Sequence, residues 1–153
     1  MTLGVGLGVE GNGELEPFGE VVDARERARL LDRGLVQLNA FWAGEFQPPP
    51  RQQPRIPVWV AARWPYRRLV RRAARWDGLF PTDLPGPDAL AELASELRGL
   101  RAGRDEPFEL VAEVAPGAAA DPWEAAGATW LLTDFGSQPR RDEVREVIEA
   151  GPQ

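Results

Sequence analysis

The sequence contains no histidine, no cysteine and no lysine; all 18 of its positive side chains are arginine. Without histidine the Ser-His and Cys-His relays cannot be assembled, and a zinc site would rest on carboxylates alone. Without lysine there is neither a Schiff base nor a phosphate-loop lysine. Without cysteine there are no disulfides, thiol nucleophiles or thiolate ligands, although this leaves the redox compartment open. The chemistry that remains belongs to carboxylates, hydroxyls, arginine, or a cofactor that carries its own reactivity, and the last is the most economical. The plain alternative is GC-rich coding that favours Arg over Lys in a chain performing no chemistry. A net charge of −6 argues against general affinity for nucleic acid or acidic membrane. No apolar run approaches the roughly 20 residues of a membrane span, and Met1 to Gly8 has no basic stretch ahead of an apolar core. The expectation is a cytoplasmic protein with no metal, no nucleic-acid partner and no membrane partner.

What is present suits one globular domain over residues 1–153: 43% hydrophobic and 27% charged residues, with 15 Pro and 16 Gly implying many turns. Leu3 to Val9 alternates Leu3, Val5, Leu7 and Val9 with Gly4, Gly6 and Gly8, the period of a strand. Glu10 to Glu20 is acidic, Gly-rich and loop-like. Asp23 can cap a helix in which Leu31, Leu35, Leu38 and Trp42 recur at helical spacing, with Gly44 just past its end. Five prolines between Gln47 and Pro57 exclude a helix there. Next come a strand at Val58 to Ala61, a helix from Tyr66 to Arg75, and a strand at Gly78 to Phe80 ended by Pro81. A helix opens at Pro87 and closes near Gly99, with Leu90, Leu93, Ala94 and Leu97 as its core stripe. Phe108 to Val114 reads as a strand with a wetter side at Glu109 and Glu113. Asp121-x-x-Glu124 starts a short helix ending by Gly127. Ala128 to Thr133 is the last strand, and the final helix runs from Pro139 to Ala150 with Val144, Val147 and Ile148 buried, stopped by Gly151 and Pro152.

Strand and helix alternate five times, which predicts an α/β chain of parallel strands with right-handed crossovers. Alternation alone does not separate an open doubly wound sheet from part of a barrel. Three stretches do. Leu3-Gly-Val-Gly-Leu-Gly8, Glu16-Pro-Phe-Gly19 and Arg25 to Asp32 resemble the fourth strand, loop and helix of luciferase-like monooxygenases. Ile56-Pro-Val-Trp-Val-Ala-Ala-Arg-Trp-Pro65, followed by Arg71-Arg-Ala-Ala-Arg-Trp-Asp-Gly-Leu-Phe-Pro81, resembles that family's fifth strand, cofactor loop, helix and sixth strand. Gly127-Ala-Thr-Trp-Leu-Leu132 is similar to the closing strand. The resemblance implies a partial TIM-type (β/α)8 barrel of about five parallel units, strands 4 to 8 of the family barrel, in which the three units that would precede Met1 are missing. It implies a flavin-dependent oxidoreductase or monooxygenase using FMN or the deazaflavin coenzyme F-420 on a small organic substrate. A rival reading is a catalytically inactive remnant or interaction module that needs a partner chain to complete the barrel.

In such barrels ligands gather at the carboxyl ends of the strands. The resemblance therefore puts Ala61, Ala62, Arg63 and Trp64 beside the cofactor phosphate, with Arg63 as its cation, and Gly6 and Gly8 at the edge of the flavin ring. Ala61 and Ala62 stand where the family commonly has a Gly. Against these stand plainer readings: a surface Arg63 paired with an acidic neighbour, a Trp64 that packs, and glycines that permit close packing. The Arg67 to Arg75 cluster reads as a solvated outer face, and Asp77 as a cap or an Arg partner. Asp134 occupies an active-site end by topology but more simply begins a turn. No residue is assigned a catalytic role. Open strand edges lead to the expectation of a homo-oligomer or of a complementing N-terminal half.

Overall fold

The structure, a computed structural model, describes residues 1–9, 11 and 13–151. Its strands are β1 (Leu3–Val5), β2 (Val58–Arg63), β3 (Gly78–Thr82), β4 (Glu109–Val114) and β5 (Trp130–Thr133). Its α-helices are α1 (Ala24–Ala40), α2 (Arg67–Ala73), α3 (Pro87–Leu100), α4 (Asp121–Ala125) and α5 (Arg141–Ala150). The chain is α/β, the strand order follows the sequence, and the ladders joining β2 to β5 are all parallel. It divides into two compact units, Met1–Val58 and Trp59–Gln153.

In the first unit β1 is shorter than the Leu3 to Val9 strand expected. Leu3 N–H donates to the Pro57 carbonyl at 2.8 Å, but pairing stops at Val5, so Gly6 and Gly8 lie beyond the strand. Glycine brings no side chain to pack and loses the most backbone freedom on ordering. Gly8 has φ +71°, a left-handed turn that its missing Cβ permits. Arg27 holds the segment that follows: its Nε–H donates to the Leu7 carbonyl at 2.8 Å, and an Nη1–H bonds the Val22 carbonyl. The Asp23 carboxylate caps α1 as expected, accepting from Glu26 N–H at 2.8 Å. Of α1 only Leu35 is buried. The helix runs on into a wider turn at Phe41–Glu45 that Gly44 breaks at φ +118°, and residues 47–57 carry neither helix nor strand. The expected loop's Glu10 and Asn12, and the expected stop at Pro152, lie outside the described residues.

In the second unit β2 extends two residues beyond Ala61, and β3 runs through Pro81 to Thr82. Pro81 does not end β3. The described β3–β4 ladder covers only Gly78 and Leu79, so the proline lies past it, where that neighbour asks for no N–H. Val58, Val60, Ala62, Leu79, Leu110, Ala112 and Val114 point to one face, all of them buried. On the helix side lie Val70, Ala73 and Ala74 at α2, and Ala89, Leu90, Leu93, Ala94 and Leu97 of α3, the stripe read from the sequence plus one residue. Each fully buried Leu or Val contributes about 1.5–3 kcal/mol. α4 starts one residue earlier than expected: Asp121 is its first helical residue, and Ala120 precedes it without a side-chain cap. Pro122 suits the first turn better than it suits a position inside a capping box.

The other face is organised by two tryptophans. The register places Trp59, Gly78 and Glu109 side by side, with Val111 beside Trp130. Trp59 and Trp130 sit on strands separated by β3 and β4, a distance of about 14 Å on a flat sheet whose side chains stand upright. Their rings nevertheless meet at 5.6 Å. This face is therefore concave. Trp59 reaches across because Gly78 lies beneath it: a Cβ there would come within 2.5 Å of the indole Cδ1 and 3.0 Å of the Glu109 carbonyl. Val111, beside Trp130 in the register, is fully buried.

The last unit is left open. No residue of α5 is buried, and Ile148, expected in a buried stripe with Val144 and Val147, is 72% exposed. The helix also begins at Arg141, because Pro139 and Arg140 remain extended ahead of it. Trp130 and Leu132 on β5 are exposed too. The stripe is apolar, but Val144 and Val147 are only half-buried and Ile148 is left in the open.

Gly78→Ala is expected to lower stability by about 1–3 kcal/mol, read as a fall in thermal midpoint of about 2–4 °C per kcal/mol. Gly99→Ala, whose Cβ would meet nothing, should instead hold or raise the midpoint.

Candidate functional site

Parallel pairing brings the carboxyl ends of β2 to β5 to one rim of the second unit. β2 ends on Arg63, and the chain turns through Trp64, Pro65 and Tyr66 into α2. Trp64 N–H bonds the Thr82 carbonyl at 2.9 Å, and Tyr66 N–H bonds the Arg63 carbonyl at 2.9 Å. The register separates the four residues singled out here. Ala61 and Arg63 alternate with the Trp59 side, whereas Ala62 lies with Val58 and Val60 on the helix side, 4% exposed. Gly6 and Gly8 belong to the first unit, where they follow β1.

The Arg63 Nε–H donates to the Asp83 carboxylate at 2.5 Å, with the two side chains 61% and 56% exposed. The plainer reading of Arg63, a surface pair, describes this arrangement. Trp64 lies under another cation: the Arg67 guanidinium stacks 4.6 Å from its ring and bonds Glu92 at 2.8 Å and Glu96 at 3.0 Å on α3. Arg67 is thereby committed to joining α2 to α3. Arg68 and Arg71 are exposed, as a solvated outer face requires.

Two rim residues escaped the sequence reading as site residues. Asp83 holds φ +60°, the one non-glycine residue with positive φ among those described. Such a conformation costs an ordinary residue about 1–2 kcal/mol and is tolerated best by Asp and Asn. Glu113, near the end of β4, is the other. Partial desolvation, then the like charges of Asp134 and Asp83, hold its carboxyl above the ordinary range. Asp134 itself makes a turn, as read: its Oδ1 accepts the Gly136 N–H at 2.8 Å, while its own N–H continues the ladder to the Val114 carbonyl at 2.9 Å. A sequence signal existed. Thr82-Asp83 and Thr133-Asp134 are the same dipeptide at the ends of two strands, so each rim aspartate stands at an equivalent place.

The rim can offer one guanidinium to an anion, at Arg63, amid three carboxylates at Asp83, Glu113 and Asp134. Among the described residues no cluster of three or more acidic side chains could hold a metal ion. No helix there is long and apolar enough to cross a membrane.

Glu113 fixes the sign of a pH effect. Its folded-state pKa is raised, so the folded form favours the protonated carboxyl, and this contribution is present below the ordinary carboxylate range and lost as pH rises through the folded pKa. Glu113→Gln should therefore raise the thermal midpoint relative to the parent at pH 7, and the difference should shrink in acid; a constant difference from pH 4 to 8 would contradict the assignment. Comparison with protein-family models, with curated proteins and with solved structures finds no match for this chain.

Proposed function

We propose that this chain is part of a luciferase-like, flavin-dependent oxidoreductase or monooxygenase, five units of a TIM-type barrel that bind FMN or the deazaflavin F-420 at the strands' carboxyl ends beside a small organic substrate. One observation carries this reading. The segment of most specific resemblance, Trp59 to Pro65, is a strand parallel to its neighbour that ends on Arg63 and turns directly into a helix, which is the junction the resemblance sets beside a cofactor phosphate.

The residues at this junction fit such a group. The Arg63–Asp83 pair is exposed, and exposed pairs are worth about 0–1 kcal/mol. A phosphate, met by the planar fork in bidentate fashion, can displace the carboxylate. Ala61 adds little bulk on the concave side. α2, with seven residues, adds little dipole, so the guanidinium is the main anchor. Bound flavin would supply the hydride or oxygen chemistry. The chain's own part is to hold the phosphate at Arg63, to keep Arg67 away from it through Glu92 and Glu96, and to retain a proton on the Glu113 carboxyl at higher pH than an ordinary carboxylate. The roles of Gly6 and Gly8 at the ring edge rest on the resemblance alone.

The exposed faces of β5 and α5 favour a second reading, an interaction module that pairs with another copy of itself. An amphipathic helix with no buried residue and an edge strand carrying Trp130 and Leu132 leave apolar surface and unpaired backbone for a partner to cover.

Titration of the purified chain with FMN and with F-420, followed by flavin fluorescence, should give saturable binding. Arg63→Ala should weaken it by about tenfold, and Asp83→Asn should tighten it by removing the competing carboxylate. No spectral change with either cofactor would defeat the oxidoreductase reading. For the second reading, light scattering at micromolar concentration should give twice the chain mass or more, and Ile148→Glu should return it to one; a parent that is monomeric throughout would remove the self-pairing.

A further inference from the structure

At the opposite end of the second unit, where β4 and β5 begin, lies a cavity of about 430 Å³. Its floor is apolar, with Leu97 of α3 and Phe108 and Leu110 of the β4 segment. Its wall is cationic, with Arg98, Arg101 and Arg104. This end takes no part in the cofactor reading, and no sequence motif marked it.

Arg101 is the informative member. It is 8% exposed, the one buried charged side chain among the described residues. Its Nη1 donates to the Ala74 and Trp76 carbonyls at 3.1 and 3.2 Å, and its Nη2 to the Glu106 carbonyl at 2.8 Å. The guanidinium also lies 4.6 Å from the Phe108 ring centre. These partners are neutral, and none is a carboxylate. Burial accordingly pulls the Arg101 pKa down, with Arg104 adding like charge and Glu106 and Asp77 opposing it from a distance. Three bonds use three of the five N–H donors a guanidinium carries, leaving the Nε–H and one Nη2–H. Arg104 bonds the Ala74 carbonyl at 3.0 Å and the exposed Glu106 carboxylate at 3.3 Å. Arg98 makes no ion pair among the described residues and is exposed.

A buried cation without an ionic partner is costly, and a ligand that brings one negative charge to it recovers that cost. An apolar floor beside it asks for a hydrocarbon surface. We propose that this cavity binds a small amphipathic carboxylate, its head on the spare donors of Arg101 between Arg98 and Arg104, and its short apolar tail on Leu97, Phe108 and Leu110. A planar carboxylate matches the guanidinium fork, and a single charge matches the single unpaired buried cation.

The test uses the full chain and octanoate as probe, with 1-octanol as a neutral control of equal length, followed through backbone amide shifts in nitrogen-15 NMR spectra. Octanoate should give saturable shifts at Arg101 to Arg104 and at Gly127, and octanol should bind at least about tenfold more weakly. Arg101 itself is left in place, because it ties three backbone carbonyls together. The double variant Arg98→Gln, Arg104→Gln should keep the parent's spectrum elsewhere and lose about tenfold in octanoate affinity. Equal response to octanol, no saturation up to the solubility of octanoate, or shifts confined to the exposed β5 and α5 surface would each overturn the proposal.

Discussion

The second unit depends on one indole crossing one glycine. Trp59 reaches over Gly78 to Trp130, a contact that a flat sheet of four strands could not make. Without curvature the sheet would have one dry face, set by α2 and α3, and one wet one. With it, Val111 and Ala112, adjacent in sequence and opposite in direction, are both completely buried. This is the double burial that parallel sheets need. The arrangement carries a cost, since the Trp59 Nε1–H is buried without an acceptor among the described residues, a loss of about 1–3 kcal/mol. Aromatic contact and apolar burial on two large rings must exceed it.

A net charge of −6 suggests a uniformly acidic surface, but three arginines collect near the amino ends of the strands, where Asp77, Glu106 and Glu109 also stand. Asp83, Glu113 and Asp134 stand at the carboxyl ends, and Arg98, Arg101 and Arg104 near the amino ends. Arg63 stands among the rim carboxylates, and Asp83 occupies it. An anion approaching that rim meets a cation already paired and two further carboxylates, while at the other end a cation is buried among carbonyl dipoles. The same residue type is thus a replaceable surface charge in one place and a fixed internal one in the other, and the difference is solvent.

Much of the fold was legible because helix stripes and strand alternation are local. The α3 stripe, the Asp23 cap and the proline connector all follow from neighbouring residues. What failed was decided by distant ones. Pro81 remained in β3 because the described β4 ladder stops short of it. The α5 stripe stayed partly open, with Val144 and Val147 only half-buried and Ile148 exposed, a fact no periodicity contains. The first strand was overread: alternating glycines mimic the period of two while contributing nothing to burial. At the rim, Arg63 was singled out through the resemblance, whereas Asp83 became visible only through its ion pair with it and Glu113 only through its place near the end of β4. Arg101 carried no signal in the sequence, since its burial depends on carbonyls from two other segments.

The ladders of the second unit join each strand to the next in the chain, β2 to β3, β3 to β4 and β4 to β5. No pairing there waits for a remote segment to arrive, so every loop closed during assembly is a short one, and closure entropy grows only slowly with length. A nascent chain leaving the ribosome could add these layers in the order they are made. At each stage the newest layer would be the least covered, its sheet edge open until the next strand is laid against it.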